Sequence, residues 1–390
     1  MDGGKAVRES FLPYTRHTVE EDDISAVSEA LRSDLITTGP RVDEFEQSLA
    51  STTGTSTAVA VNSGTAALHA MLACSDVGQG DEVIVPVITF AATSNSVLYC
   101  GAKPVFVDVD PVTLLIDPDA TSDAITTRTK AIIAVDYAGH PCDYEALTSI
   151  AASHSISILS DASHSLGGTY KGSTVGSLSY ASTFSFHPAK HVTTAEGGAV
   201  TTNDNNLALR MQRFRNHGIS IDHARRAVER TWEYDVDSLG FNYRISDIQC
   251  ALGSSQLKRL PTSIAKRRDI ARRYDTAFTE LEVVSPLKRS ADVGHAYHLY
   301  VIRLDITRLK VSRTEIFRAL WAENIGVNVH YIPVPWHPLY RSLGYQPGGF
   351  PVAEDAYRRI ISLPMWPGLS DDDVNDVIRA VRKVIATYRQ

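Results

Sequence analysis

The chain has 390 residues, 43% of them hydrophobic and 21% charged, close to globular averages of roughly 45–50% and 25%. At about 150 residues per domain that length suggests two to three domains, and the composition excludes a disordered, collagen-like or low-complexity chain. The 38 Lys plus Arg against 45 Asp plus Glu give a net charge of −7, so no global positive field draws nucleic acid, although a local basic patch suffices for a small anion.

From residue 20 to about 205, short β-branched runs alternate with helical patterns. The candidate strands are Thr57–Asn62, Glu82–Pro86, Pro104–Asp108, Ala131–Asp136, Ile156–Asp161, Ser182–His187 and Gly198–Thr202. Between several of them lie amphipathic stretches such as TAALHAMLAC, ATSNSVLYCG and YEALTSIAAS. Strand, helix, strand at this spacing predicts a mostly parallel sheet with helices on both faces. Ligands of such sheets bind beyond the carboxyl ends of strands, which here carry Asn62-Ser63-Gly64, Asp161-Ala162-Ser163 and His187-Pro188.

Residues 206–232 read as a helix followed by a polar, Arg-rich surface excursion. Helical periods resume over 248–260 and 266–281. YHLYVIRLD (297–305) is expected to be a strand, RTEIFRALWAENI (313–325) a helix and GVNVHYIP (326–333) a further strand. A last helix opens with three acids, as the helix dipole favours. The pattern divides the α/β fold into a large domain over 1–255 and a smaller α+β domain over 256–390.

The four cysteines, Cys74, Cys100, Cys142 and Cys250, are far apart and form no C-x-x-C pair. That argues against a disulfide framework or a zinc site and suits a reducing cytoplasm. The opening MDGGKAVRESFLPYTRHTVEEDD lacks the apolar core of a signal peptide, and no run approaches about 18 apolar residues. A cytoplasmic protein is expected, with no metal, no membrane and no nucleic-acid partner.

Three phrases carry chemistry. VNSGTAALHAML (61–72) sets Ser-Gly-Thr between strand and helix, where free backbone N–H groups suit a phosphate; the plainer reading is a helix cap. ILSDASHSLG (158–167) ends an apolar strand in Asp161, and a buried carboxylate there needs a cation or several donors. In STFSFHPAKHVTTAEGGAVTT (182–202), Lys190 stands among small and apolar neighbours near the sheet edge. Such a setting lowers an amine's pKa and leaves it able to form a Schiff base. A phosphate turn, a strand-end acid, a lysine and an aromatic such as Phe90 together match what pyridoxal 5'-phosphate (PLP) requires. Neither G-x-G-x-x-G nor G-x-x-x-x-G-K-[ST] occurs, which weakens a nicotinamide-dependent or P-loop reading.

These phrases resemble the DegT/DnrJ-type, fold-type I sugar aminotransferases, and the resemblance runs from LITTGPRVDEFE (35–46) to ISLPMWPGLSDDDVNDVI (361–378). NSGTAAL, DASHSLG, SFHPAKHVTTAEGGAV and FNYRISDIQCALGSSQLKRL carry it. Within that family the chain is most similar to the UDP-4-amino-4,6-dideoxy-N-acetyl-β-L-altrosamine transaminases of pseudaminic acid biosynthesis, through SFHxxK, AVDYAG (134–139) and VNVHYIPV (327–334).

The resemblance implies a seven-stranded, mostly parallel sheet, PLP as cofactor, L-glutamate as donor and a UDP-4-keto-6-deoxy-N-acetylhexosamine as acceptor in a ping-pong cycle. It gives Lys190 the covalent bond to the cofactor and the proton transfers, and Asp161 the partnership with the pyridine nitrogen. His164 falls beside the ring hydroxyl, Phe90 against the ring, and Gly64, Thr65 and Ser185 at the phosphate. Asn242 matches a residue supplied by the neighbouring subunit, which implies a homodimer with shared sites. Tyr14, Ile36, Thr37, His187, Arg244, Asn328, His330 and Tyr331 match substrate-facing positions, and Arg213 and Arg215 are further candidate cations for the diphosphate. Some relatives carry histidine in place of the lysine and eliminate water; here His187 and His191 merely flank Lys190. The alternatives are a dTDP- or GDP-linked keto sugar and a PLP-binding regulatory relative without catalysis.

Overall fold

The computed structural model describes residues 4–221, 226, 228 and 230–390. Seven short runs of small and β-branched residues form its main sheet: β1 (Thr57–Val61), β2 (Glu82–Pro86), β3 (Lys103–Val107), β4 (Thr129–Val135), β5 (Ser157–Asp161), β6 (Ala181–Ser185) and β7 (Gly198–Thr202). The spatial order is β1-β7-β6-β5-β4-β2-β3. Strands β2 to β6 pair in parallel, whereas β7 runs antiparallel to both β1 and β6. Each of the seven strands predicted between residues 57 and 202 reappears within two residues of its expected bounds.

The central strands are apolar on both faces because both faces are covered. Val83 and Val85 of β2 and Ile133 of β4 pack with Leu68, Met71 and Leu72 on one face, while Ile84 and Ile132 pack with Tyr144 and Leu147 on the other. Helices α1 (Glu21–Leu31), α2 (Pro40–Thr53), α3 (Gly64–Cys74) and α4 (Ala91–Tyr99) are the first in the chain. Ser63 caps α3 by accepting from Ala66 N at 3.1 Å, so the cap expected at this turn is present.

After the consecutive helices Asp247–Lys258 and Leu260–Phe278 comes an antiparallel sheet of β8 (Val284–Pro286), β9 (Tyr300–Leu304) and β10 (Ile360–Leu363). It shares a core with helices Leu260–Phe278, Arg313–Ala322 and Asp371–Tyr388, and with Leu12 from the start of the chain. The acidic opening of the last helix has partners. Ser370 and Asp373 form a capping box, Arg8 reaches Asp373 and Asp376 at 2.7 Å each, and Arg273 reaches Asp371 at 2.5 Å.

One expected element is absent. Residues 326–333 are not a strand: Asn328 makes a single antiparallel bridge to Ser362, and the His330 carbonyl accepts from the Tyr137 hydroxyl instead of from a neighbouring strand. The sheet takes Ile360–Leu363 in its place, and the 328–331 segment is free to face a cavity. Part of the Arg-rich excursion, residues 222–225, 227 and 229, lies outside the described residues. Its arms meet through an antiparallel bridge between Ile219 and Val236.

Candidate active site

A cavity of about 460 Å³ opens where the parallel strands end. The turn after β1, the segment after β2, the ends of β5 and β6, and the 328–331 segment all reach it. It brings together Tyr14, Gly64, Thr65, Phe90, Asp161, His164, Ser185, His187, Lys190, Asn328, His330 and Tyr331.

The first two residues of α3, Gly64 and Thr65, offer N–H groups with no intrahelical acceptor at the positive end of the helix dipole. A Cβ at Gly64 would stand 2.8 Å from Ser185 Cβ, so only glycine lets this turn lie against β6. The helix start is thereby both capped by Ser63 and open to an anion.

Asp161 is buried at the end of β5. Its Oδ2 accepts from Thr93 Oγ1 at 2.7 Å and its Oδ1 from the Ser163 N–H at 3.2 Å. These donors hold the acid in one orientation. Across the cavity Lys190 is half-buried, and burial lowers its amine from 10.5 to about 8, with Asp161 opposing the shift through space.

Neutral imidazoles surround the lysine. Burial first, then the Lys190 charge, brings His330 down to about 3 and holds His164 well below the usual histidine range. His298 is lowered by burial, then by His164 and Lys190. The His164 and His298 rings lie 4.2 Å apart, and His164 Nε2 is 3.2 Å from the Tyr331 hydroxyl. His164 Nδ1 is buried with no protein partner. Phe90, the residue just before α4, presents 59% of its surface, with its ring centroid 6.0 Å from that of Tyr331.

Six of the expected residues do not line this cavity. Ile36 and Thr37 are exposed, with Thr37 bridged to Ser246. Asn242 is exposed, and its carbonyl accepts from Asn62 Nδ2 at 3.3 Å. Arg244 donates to Asn216 Oδ1 at 2.7 Å. Arg215 is taken by Glu46 and the Ala60 carbonyl, and Arg213 lies 3.5 Å from Asp237. Conversely, sequence reasoning passed over Thr89, Thr93 and His298, and gave Ser163 no role beyond its place at a strand terminus. Thr89 and Thr93 flank the Phe90 phrase at a spacing of four, which could have flagged them; His298 stands alone in an apolar run and gave no signal.

A nucleophilic amine faces a fixed carboxylate across a cavity that also has a helix start, a bare aromatic ring and an unpartnered imidazole nitrogen. These groups fit PLP: the amine for its aldehyde, the acid for its pyridine nitrogen, the helix start for its phosphate and Phe90 for a ring face. Among the described residues no cluster of three or more His, Cys, Asp or Glu could hold a metal ion, and no helix is long and apolar enough to cross a membrane.

Comparison with known proteins agrees. Residues 17–382 match the DegT/DnrJ/EryC1/StrS aminotransferase family. The spore coat polysaccharide biosynthesis protein SpsC of Bacillus subtilis is 42% identical over 382 residues, 97% of this chain and 98% of that one. Among solved structures, Helicobacter pylori PseC, an aminotransferase involved in the biosynthesis of pseudoaminic acid, superposes with a TM-score of 0.90 at 36% identity, covering 97% of this chain and 100% of that one. Spr1654 from Streptococcus pneumoniae in its PLP form gives a TM-score of 0.90 at 34% identity, covering 97% and 99%.

Proposed function

The chain belongs to the DegT/DnrJ/EryC1/StrS family of PLP-dependent sugar aminotransferases, and from that premise we propose that it moves an amino group from L-glutamate to C4 of a UDP-4-keto-6-deoxy-N-acetylhexosamine, the reaction type of pseudaminic acid biosynthesis. The observation that carries the reading is the pair formed by Lys190, an amine lowered to about 8, and the anchored carboxylate of Asp161 on one cavity. The full-length likeness to PseC supports the choice of sugar.

In this reading Lys190 would hold the cofactor through its amine, and as a free amine it would take the proton from the donor's α-carbon. It returns a proton to the sugar's C4 in the second half-reaction. Asp161, held by Thr93 and Ser163, would present its carboxyl group to the pyridine nitrogen. His164, kept neutral by burial, would stand by the ring hydroxyl, and Phe90 would cover one ring face. The N–H groups of Gly64 and Thr65, with the Ser185 hydroxyl, take the phosphate. When bound, PLP supplies an electron sink for the carbanion that this proton transfer creates. Tyr14, His187, Asn328, His330 and Tyr331 border the space left for the sugar.

We assign Asn242 to the site of a second subunit, in a homodimer with shared sites. Exposed Leu35, Ile36, Val236 and Leu239, in segments near Asn242 along the chain or bridged to its neighbourhood, support a partner covering this face. The large PLP-binding domain is taken as 1–255 and the small one as 256–390, with the enzyme in the cytoplasm.

Absorbance tests the reading. The purified enzyme is expected to be yellow, to lose that colour with L-glutamate, and to regain it when the UDP-4-keto sugar is added. A protein that stays colourless with added PLP would refute it. Recovery of colour with a dTDP- or GDP-linked keto sugar alone would favour the second reading, a different nucleotide-sugar 4-aminotransferase, to which the 42% identity with a polysaccharide biosynthesis protein lends support.

A further inference from the structure

Lys190 also stands in the wall of a second cavity, of about 100 Å³, large enough for a group of a few heavy atoms. Its other walls include Arg16 and Glu20 from the start of the chain, His191 from the lysine loop, and Ser263, Lys266 and Arg267 from the first turns of the helix Leu260–Phe278.

Arg267 is only 2% exposed. Its Nη1 donates to the carbonyls of Tyr297 and Met365 at 2.9 and 3.1 Å, and its Nε is buried without a protein acceptor. Burial lowers this guanidinium from 12.5 to about 10, and no carboxylate opposes the shift. A buried cation with only neutral acceptors is expensive to keep. One further buried donor in the same wall, Ser263 Oγ, has no partner either, whereas His191 donates its Nε2–H to the Ala296 carbonyl at 3.0 Å, which leaves its Nδ1 an acceptor. Glu20 does not fill the gap, because it lies 3.7 Å from Arg259, which also holds Asp22 and Asp23. Arg16 and Lys266 stand exposed at the mouth, and neither makes an ion pair among the described residues.

We propose that this cavity is a binding site for a small oxyanion, a carboxylate or phosphate group, held by Arg267 with Arg16 and Lys266 at its entrance. An anion there satisfies the orphaned donors and places a negative charge beside Lys190. The site does not depend on which sugar the enzyme takes.

Isothermal titration calorimetry on the enzyme with its cofactor bound tests this with two probes that carry no amine, succinate and inorganic phosphate. At least one probe is expected to bind, and to bind at least about tenfold more weakly to Arg267→Gln, since a charge-assisted hydrogen bond is lost. Because Arg267→Gln risks the fold, the surface double variant Arg16→Gln/Lys266→Gln is measured beside it, with a loss of about threefold or more expected from two removed charges. Succinate binding together with a raised KM for L-glutamate in the double variant assigns the site to the carboxylate of an acid substrate. Phosphate binding with an unchanged KM assigns it to a free inorganic anion. If neither probe binds the wild type, or both bind the double variant as tightly as the wild type, the proposal is overturned. Calorimetry needs no turnover, so an enzyme inert toward L-glutamate would sink the proposed activity and leave this result standing.

Discussion

Thr93 Oγ1 donates to Asp161 Oδ2 at 2.7 Å and lies 2.7 Å from Thr89 Oγ1. With its one hydrogen directed at the acid, Thr93 accepts from Thr89, so two hydroxyls in series fix the carboxylate. Thr93→Val removes a hydrogen bond to a charged group, worth about 1.5–3 kcal/mol. We expect kcat to fall about tenfold or more with PLP retained. Asp161→Asn is expected to keep the cofactor and lose at least about a hundredfold in kcat. Steady-state kinetics on both variants, with PLP content from absorbance, decide; an unchanged kcat in Asp161→Asn removes the role assigned to it.

Lys190→Ala is expected to abolish transamination, a loss of at least about a thousandfold, while thermal unfolding stays near that of the wild type. The lysine sits on a loop and buries little of the core, so its removal should leave packing intact. Turnover at the normal rate would refute the assignment.

The lowered amine makes a pH prediction with a definite sign. At a value of about 8 the amine is a base above that pH and protonated below it. About a quarter of it is then neutral at pH 7.5, against about a thousandth for an unperturbed lysine. We expect the rate of the glutamate half-reaction to rise through pH 7 to 8 and level off above. Stopped-flow absorbance checks this, and a rate still climbing steeply at pH 10 would contradict it.

Gly64→Ala sets a Cβ 2.8 Å from that of Ser185 and pushes the start of α3 away from β6. A weakened phosphate site follows: the Kd for PLP is expected to rise at least about tenfold, measured by fluorescence titration of cofactor-free enzyme. An unaltered Kd would place the phosphate elsewhere.

Mixing inactive Asn242→Ala with inactive Lys190→Ala is expected to restore part of the activity, because hybrid dimers carry one site intact in both residues. Subunit-exchange assays read this directly, and no recovery after verified exchange counts against sites shared across an interface.

The main sheet was legible because its strands are short, rich in small and β-branched residues and bounded by polar turns, so composition alone marks them. Lys190, Asp161 and Gly64 were legible for a related reason: each interrupts that pattern at a strand end. The 326–333 segment was misread because Val327, Val329 and Tyr331 alternate with Asn328 and His330 as a strand would, whereas its backbone is held by Tyr137 and a single bridge. Thr93 and His298 escaped notice since their partners, Asp161 and His164, are distant in the chain, and no local spacing encodes such a meeting. The acidic start of the last helix was read through the helix dipole alone; its pairing with Arg8 crosses nearly the whole chain.

The reversed direction of β7 has a mechanical consequence. Gly198 is paired with Val61 of β1 on one side and Ser185 of β6 on the other. A Cβ on it would meet the Ser63 carbonyl oxygen at 2.4 Å. The segment 186–197 therefore leaves the sheet and rejoins it at the same rim, as only an antiparallel neighbour permits; a parallel one would demand a long crossover to the far edge. Lys190 rides on a loop clamped at both feet within one row of the sheet. Its travel between cofactor and substrate is left to the side chain's own four carbons, and the backbone beneath it serves as a fixed pivot.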